Sequence, residues 1–414
     1  MKKTLSASLL TVALLSACFT LAASSQASAK VASPTSQSKL AKGDRAVCGP
    51  ATAKRVTCLA IRHAATRPTS GLVRPLVGVS YGANQLRKAY SIRALGNRNR
   101  VIAIIDAYHS GTAFDDLTMY REMFNLGPMD NCGQPNTRPT AIPAGKNPCF
   151  FQLTQSGQVA TASTTEAAGW AQETALDIEM AAAFCPKCSI LLVEAKIASF
   201  KSLEAAVATA SRFKGVKAIS NSYGGSDANE ADYPAYAAAS EQGIAVTASS
   251  GDSGYGVSSP ASFSSVVAVG GTSLFLDARG SYARESAWSS GGSGCSTLNP
   301  AASWQDSALT DCLGKSAADV AAVADPATGV TVAYDSNWMV FGGTSVSSPI
   351  IAALYALKAD FGASAGEFTA SQADQLHDVS TGSNGSCQRK LWCTAGPGWD
   401  GPTGFGSPNG TGAF

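Results

Sequence analysis

The chain has 414 residues, 45% of them hydrophobic and 14% charged, with a formal net charge of +2. That length and apolar content suit one large core or two smaller ones, and no basic block beyond the N-terminus points to a nucleic-acid partner. Only three histidines are present, His63, His109 and His377, which leaves little room for histidine chemistry.

Lys2 and Lys3 precede an apolar run from Leu9 to Leu21, and Ala27-Ser28-Ala29 offers a small-residue cleavage site. This reads as a secretory signal peptide over 1–29, giving a secreted protein with no stable membrane partner. Leu15-Ser16-Ala17-Cys18 offers a second reading, a lipid anchor at Cys18 on the cell surface; the apolar Phe19-Thr20-Leu21 that follows favours cleavage after Ala29. Export to an oxidising compartment suits the cysteines. Setting Cys18 aside, they fall into close pairs, Cys48/Cys58, Cys132/Cys149, Cys185/Cys188, Cys295/Cys312 and Cys387/Cys393, and read as five local disulfides. Cys185-Pro186-Lys187-Cys188 has no second such motif and no nearby histidine to make a zinc site.

Residues 30–80 read as a short, irregular extension ahead of one domain over 81–414. Val101 to Asp106 is a continuous apolar strand, and Phe114 to Phe124 has helical spacing. Residues 126–165 read as a loop-rich insertion. Helices over Gly169–Phe184, Phe200–Phe213 and Tyr233–Gln242 then alternate with strands at Ser189–Val193, Ala218–Ser220, Ile244–Ala248 and Val266–Val269. Strands that are apolar throughout, alternating with helices, predict an α/β fold with a parallel sheet covered on both faces. Residues 277–340, rich in glycine and serine, read as long surface connections.

Glu173 and Asp177 stand four apart in the first long helix and share a face that continues into Met180, Ala181 and Phe184. Two carboxyls are thus aimed at a buried side, while Glu179 is expected on the opposite, solvated side. A Gly-Asp-Ser-Gly turn puts Asp252 at the carboxyl end of a parallel strand, where open α/β sheets place their sites. Gly342-Gly343-Thr344-Ser345 precedes an apolar helix whose first turn would hold Pro349. Ser345 would sit at that helix N-terminus, which favours developing negative charge. Each feature alone has an ordinary explanation as an acidic turn, a turn aspartate or a helix cap.

Together, Glu173, Asp177, Asp252 and Ser345 resemble the sedolisin, or serine-carboxyl peptidase, family, whose fold is subtilisin-like. The resemblance runs from about Tyr81 to Asn409 and includes Ser222-Tyr223-Gly224 and Asp319 to Pro326. It implies that Ser345 is the nucleophile, Glu173 the general base, Asp177 its orienting partner and Asp252 an oxyanion-hole donor. Ser222, Tyr223 and Gly224 would bind substrate. The physics agrees: without a suitably placed histidine a carboxylate must serve as base, and Asp252 can donate only while protonated, so the site should work in acid. The expected function is a secreted, monomeric serine-type peptidase acting on proteins or peptides.

At the C-terminal end, Asp378 and Asp400 flank a glycine-rich loop over 378–400 closed by Cys387 and Cys393. Two carboxylates with backbone carbonyls suit one structural Ca²⁺. The family places calcium there, through the aspartates and the carbonyls of Val379, Gly396 and Gly398; a disulfide-closed loop with incidental acids is the plainer reading. The large folded propeptide usual in the family has only the short 30–80 stretch in its place. Two other functions compete. A Ser-His-Asp peptidase of the subtilisin type would use Asp106, but His109 lies only three residues beyond it and no His-Gly-Thr motif follows. A non-catalytic binding protein on the same fold would have no need of the full set of four site residues.

Overall fold

The computed structural model describes residues 40–63, 69–70, 80–161, 167–358, 360–362 and 364–414. The signal peptide and Cys18 lie outside these residues. By contacts the chain divides into residues 1–35 and 36–414, and everything described belongs to the second unit.

Three short strands come first: β1 (Asp44–Ala46), β2 (Thr57–Cys58) and β3 (Ile61–His63). Then follow α1 (Ala83–Ala89), β4 (Val101–Ala107), α2 (Ala113–Met123), β5 (Cys149–Thr154) and α3 (Ala168–Phe184). The regular alternation continues with β6 (Ser189–Ala195), α4 (Phe200–Ser211), β7 (Val216–Asn221), β8 (Tyr223–Gly224), α5 (Ala235–Glu241) and β9 (Ala245–Ser249). After β10 (Val267–Leu276) and β11 (Tyr282–Ala287) come β12 (Val320–Val323), β13 (Val330–Tyr334), β14 (Asn337–Gly342) and α6 (Thr344–Lys358).

The central sheet runs in the order β11-β10-β9-β7-β4-β6-β5, with β12 also paired to β10. Its pairings are parallel except for the β10–β11 edge. The pleat sorts the apolar strands into two cores. Ile102 and Ile104 of β4 and Ile190 and Leu192 of β6 pack with α3 and α6. Val101, Ala103 and Ile105, with Leu191 and Val193, pack with α4 and α5. Burial on both faces is why these strands show no polar alternation.

Several expectations need correction. Residues 126–165 are not merely a loop: Cys149–Thr154 is a sheet strand paired to β6. Nor are 277–340 surface connections. Val320–Val323 is fully buried beside β10, Val330–Tyr334 and Asn337–Gly342 form a hairpin, and Trp288 is buried. These strands are only four to six residues long, too short for a period to announce them. Glu179 is not solvated. It is wholly buried and accepts a hydrogen bond from Ala333 N–H at 3.0 Å, because β13 covers the face of α3 opposite the sheet. Burial raises its pKa well above the ordinary carboxyl range. Pro349 lies in the second turn of α6, since the helix already begins at Thr344. Its missing N–H leaves the carbonyl of Ser345 without the usual helical donor. All five expected cysteine pairs are disulfides.

Candidate active site

Ser345 is the second residue of α6 and is completely buried. Its hydroxyl donates to the carbonyl of Ser222 at 3.3 Å. Gly343 just before it has φ +102°, and a Cβ there would overlap the Leu59 carbonyl oxygen and stand 2.7 Å from Asp252 Oδ2. Only glycine makes this approach.

Asp252 follows β9 in a turn clamped to the start of α6. Its Oδ1 accepts from the backbone N–H and the hydroxyl of Thr344, both at 2.8 Å, and Gly251 N–H donates to the same hydroxyl at 3.2 Å. Oδ2 is buried and has no hydrogen-bond partner among the described residues. Burial, only partly offset by the two Thr344 bonds, lifts the pKa to about 7. With Oδ1 doubly engaged as an acceptor, the proton belongs on Oδ2, which then points a donor at the space beside Gly343.

Glu173 and Asp177 are both wholly buried on α3, as their spacing predicts. Glu173 Oε2 accepts from Ala60 N–H at 2.8 Å, while among the described residues no group stands at ordinary hydrogen-bond distance from Oε1 or from either Asp177 oxygen, although the Ser222 hydroxyl favours the Asp177 carboxylate. Burial is the main cause that pushes both well above the carboxyl range, and the charge of Asp106 adds to it. The Ser345 hydroxyl lies near enough to act on Glu173, favouring its carboxylate.

Asp106, weighed from sequence only in the subtilisin-type reading, joins this cluster. It continues the parity of Ile102 and Ile104 on β4 toward α3, is fully buried, and burial raises its pKa to about 7. Three carboxyls therefore meet with no cation among the groups that shift them, so they share protons and titrate as a set. The signal available in sequence was an aspartate closing an apolar strand. His109 is engaged elsewhere, its Nδ1 lying 2.9 Å from Glu194 Oε2 and 3.3 Å from Gln152 Nε2. Asp319 accepts from Ala268 N–H at 2.7 Å and sits 2.5 Å from Lys315 Nζ, a buried ion pair that pins β10.

Ser222 lies against Ser345 between β7 and β8, and Tyr223 and Gly224 form β8. Gly224 and Tyr223 pair antiparallel with Thr57 and Cys58 of β2. In the C-terminal loop, Asp378 Oδ2 accepts from Gly398 N–H at 3.1 Å and Asp400 Oδ2 from Gly396 N–H at 3.0 Å. Thr403 donates its hydroxyl to the Val379 carbonyl at 3.3 Å.

The profile described as Peptidase S8, Subtilase family, matches residues 154–406. Kumamolisin from Bacillus sp. (strain MN-32) is 34% identical over 273 residues, covering 58% of this chain and 49% of its own length. Sedolisin from Pseudomonas sp. (strain 101) is 33% identical over 205 residues, 42% of this chain and 34% of that protein. The chain thus spans about half or less of the length of these relatives. A solved structure of Pseudomonas sedolisin, a serine-carboxyl proteinase complexed with two molecules of pseudo-iodotyrostatin, superposes with a TM-score of 0.65 at 24% identity. That match covers 80% of this chain and 95% of the other and bears on the fold. The chain belongs to the subtilase family, on its sedolisin branch.

Proposed function

We propose that this protein is a serine-type peptidase that cuts peptide bonds through Ser345, Glu173 and Asp177, with Asp252 as oxyanion donor, and that it works in acid. The observation that carries the reading is the buried serine at a helix start, flanked by a carboxyl that can take a proton and another that can give a hydrogen bond. Glu173 accepts the Ser345 proton as the hydroxyl attacks the peptide carbonyl. Asp177 and Asp106 hold protons beside it and keep its basicity within reach of the serine. Asp252 Oδ2–H and the positive end of the α6 dipole stabilise the oxyanion, which matters most in a site closed to water. Glu173 then returns its proton to the leaving amine. Replacing Ser345 by alanine and assaying peptide hydrolysis at acid pH tests this; turnover by a folded Ser345→Ala protein refutes it.

Export, a single-copy state and protein or peptide substrates complete the proposal. Calcium belongs to it as well. Burial is the main cause that lifts the Asp400 pKa to about 7, and the charge of Asp378 adds to it, which puts two carboxyls within reach of each other on one loop. An all-oxygen set of this kind fits Ca²⁺, held by Asp378, Asp400 and the carbonyls of Val379, Gly396 and Gly398. The ion would brace the loop rather than take part in the cut.

A further inference from the structure

The buried carboxyls do not end at Asp106. Asp106 of β4 and Glu194 of β6 are register partners in a parallel pair, so their side chains leave the sheet on one face, the face on which Ile104 and Leu192 pack. Three donors converge on Glu194. Its Oε2 lies 2.9 Å from His109 Nδ1, and its Oε1 accepts from Ser110 N–H at 3.0 Å and from Gln152 Nε2 at 2.6 Å. Tyr108, at φ +68°, turns the chain after β4 so that His109 falls beside β6. Glu194 and His109 are both buried. We infer that Glu194 and His109 are positioning residues for the reaction: as an ion pair beside Asp106 they set the field in which the Glu173–Asp177–Asp106 cluster takes up protons, and so the lower pH limit of activity.

The field acts in steps. The charge of Glu194 favours the protonated form of Asp106, and the charge of Asp106 favours the protonated forms of Glu173 and Asp177. A lone carboxylate at 194 would therefore keep the general base protonated further up the pH scale. In acid, an imidazole against a carboxylate carries a proton, and its positive charge offsets that push. Among the described residues, the titratable groups around this row are Glu173 and Asp177 from α3, Tyr223 from β8 and His109 from the loop after β4. Tyr223 is neutral in acid, because burial raises its pKa further. Thr174 from α3 and Gln152 from β5 supply neutral hydrogen bonds. His109 is the cation of this set, and it reaches the cluster through Glu194.

The inference deepens the peptidase reading and rests on it. Its test is kcat/KM for a peptide from about pH 2 to 6, with circular dichroism to confirm each fold. Glu194→Gln keeps an acceptor for Ser110 N–H and leaves the imidazolium uncompensated, so the acid limb should move to lower pH by roughly half to one unit. His109→Asn keeps a donor near the place of Nδ1 and leaves the carboxylate uncompensated, so the limb should move by a similar amount to higher pH. At the foot of the limb these shifts change kcat/KM roughly three- to tenfold, in opposite directions. The double variant carries no net charge, like the native pair, and its limb should return close to the wild-type position. Lost packing alone does not give opposite shifts that cancel. Gln152→Lys leaves the native pair in place and adds a cation against Glu194 at a half-buried position, so it too should move the limb to lower pH.

An unmoved limb in folded Glu194→Gln and His109→Asn, or shifts in the same direction, overturns the inference and leaves the peptidase reading standing. Should those two variants fail to fold, an unmoved limb in Gln152→Lys overturns it. A folded His109→Asn that is inactive at every pH also overturns it, since a positioning residue moves the limb without removing the chemistry. No Ser345-dependent hydrolysis of any peptide overturns both readings.

Discussion

Replacing Asp252 by asparagine isolates the group that should limit activity at high pH. The wild-type carboxyl must be protonated to donate from Oδ2, and burial places its pKa at about 7. For one titrating group, the protonated fraction at a pH one unit above the pKa is roughly a tenth, and two units above it roughly a hundredth. Wild-type kcat/KM should therefore fall about fivefold between pH 7 and 8 and about tenfold again by pH 9. An asparagine can keep the acceptor role toward Thr344 with its oxygen and donate with its amide at any pH. Its donation is weaker, so kcat/KM on the plateau should drop by about 10- to 1000-fold, as for loss of an oxyanion donor. The diagnostic is the shape, not the height: the alkaline limb of Asp252→Asn should move upward until the Glu173 cluster or substrate sets it. The assay is kcat/KM for a peptide measured from pH 3 to 9. An unmoved alkaline limb in the variant would show that Asp252 is not the group that has to stay protonated.

Other outcomes follow from the same geometry. Glu173→Gln should remove the proton acceptor and lower kcat by at least about 100-fold with the fold retained, read by kinetics beside circular dichroism. Glu179→Ala should leave Ala333 N–H without its acceptor and open a cavity, costing about 2–4 kcal/mol in urea unfolding, whereas Glu179→Gln should keep most of the stability. Removing Ca²⁺ with excess chelator should lower the melting temperature, and an unchanged value with no calcium in the purified protein counts against the metal. Stability itself should fall as pH rises. The folded pKa of Asp106, about 7, lies above its ordinary value of 3.8, so its contribution is fully present below about pH 4 and is lost as pH rises through about 7. That one group is worth on the order of 4 kcal/mol, and Asp106→Asn should flatten the fall seen by thermal unfolding between pH 4 and 8.

The sheet was legible in the sequence because burial on both faces writes strands as plain apolar runs. Val101–Asp106, Ser189–Val193 and Ile244–Ala248 each match an observed strand to within a residue or two. Cys149–Thr154 was missed although it is nearly as buried, because glycine-, proline- and asparagine-rich residues precede it and mask a six-residue run. Val320–Val323 was missed for a related reason: four residues hold no period, and only the neighbouring strand β10 makes them a strand. Glu179 shows the limit of helical-face reasoning. By spacing Glu179 falls off the shared face of Glu173 and Asp177 and reads as solvated, yet β13 supplies a backbone donor that satisfies a buried carboxyl there.

The site was legible where the chemistry is local and hidden where it is not. Glu173, Asp177, Asp252 and Ser345 each sit in a short motif whose own spacing fixes a direction: four residues on a helix, a turn after a strand, a glycine before a helix. Asp106 has no motif, and its role comes from packing against α3, which no spacing within β4 reveals. The hydrogen bond from Ala60 N–H to Glu173 is more remote still, since it joins residues 113 positions apart. A buried carboxyl cluster without a cation is held together by its shared protons, and the same protons set when the serine can be activated. On the proposed mechanism acid does two things at once: it keeps the cluster neutral enough to stay folded, and it leaves Asp252 able to donate a hydrogen bond.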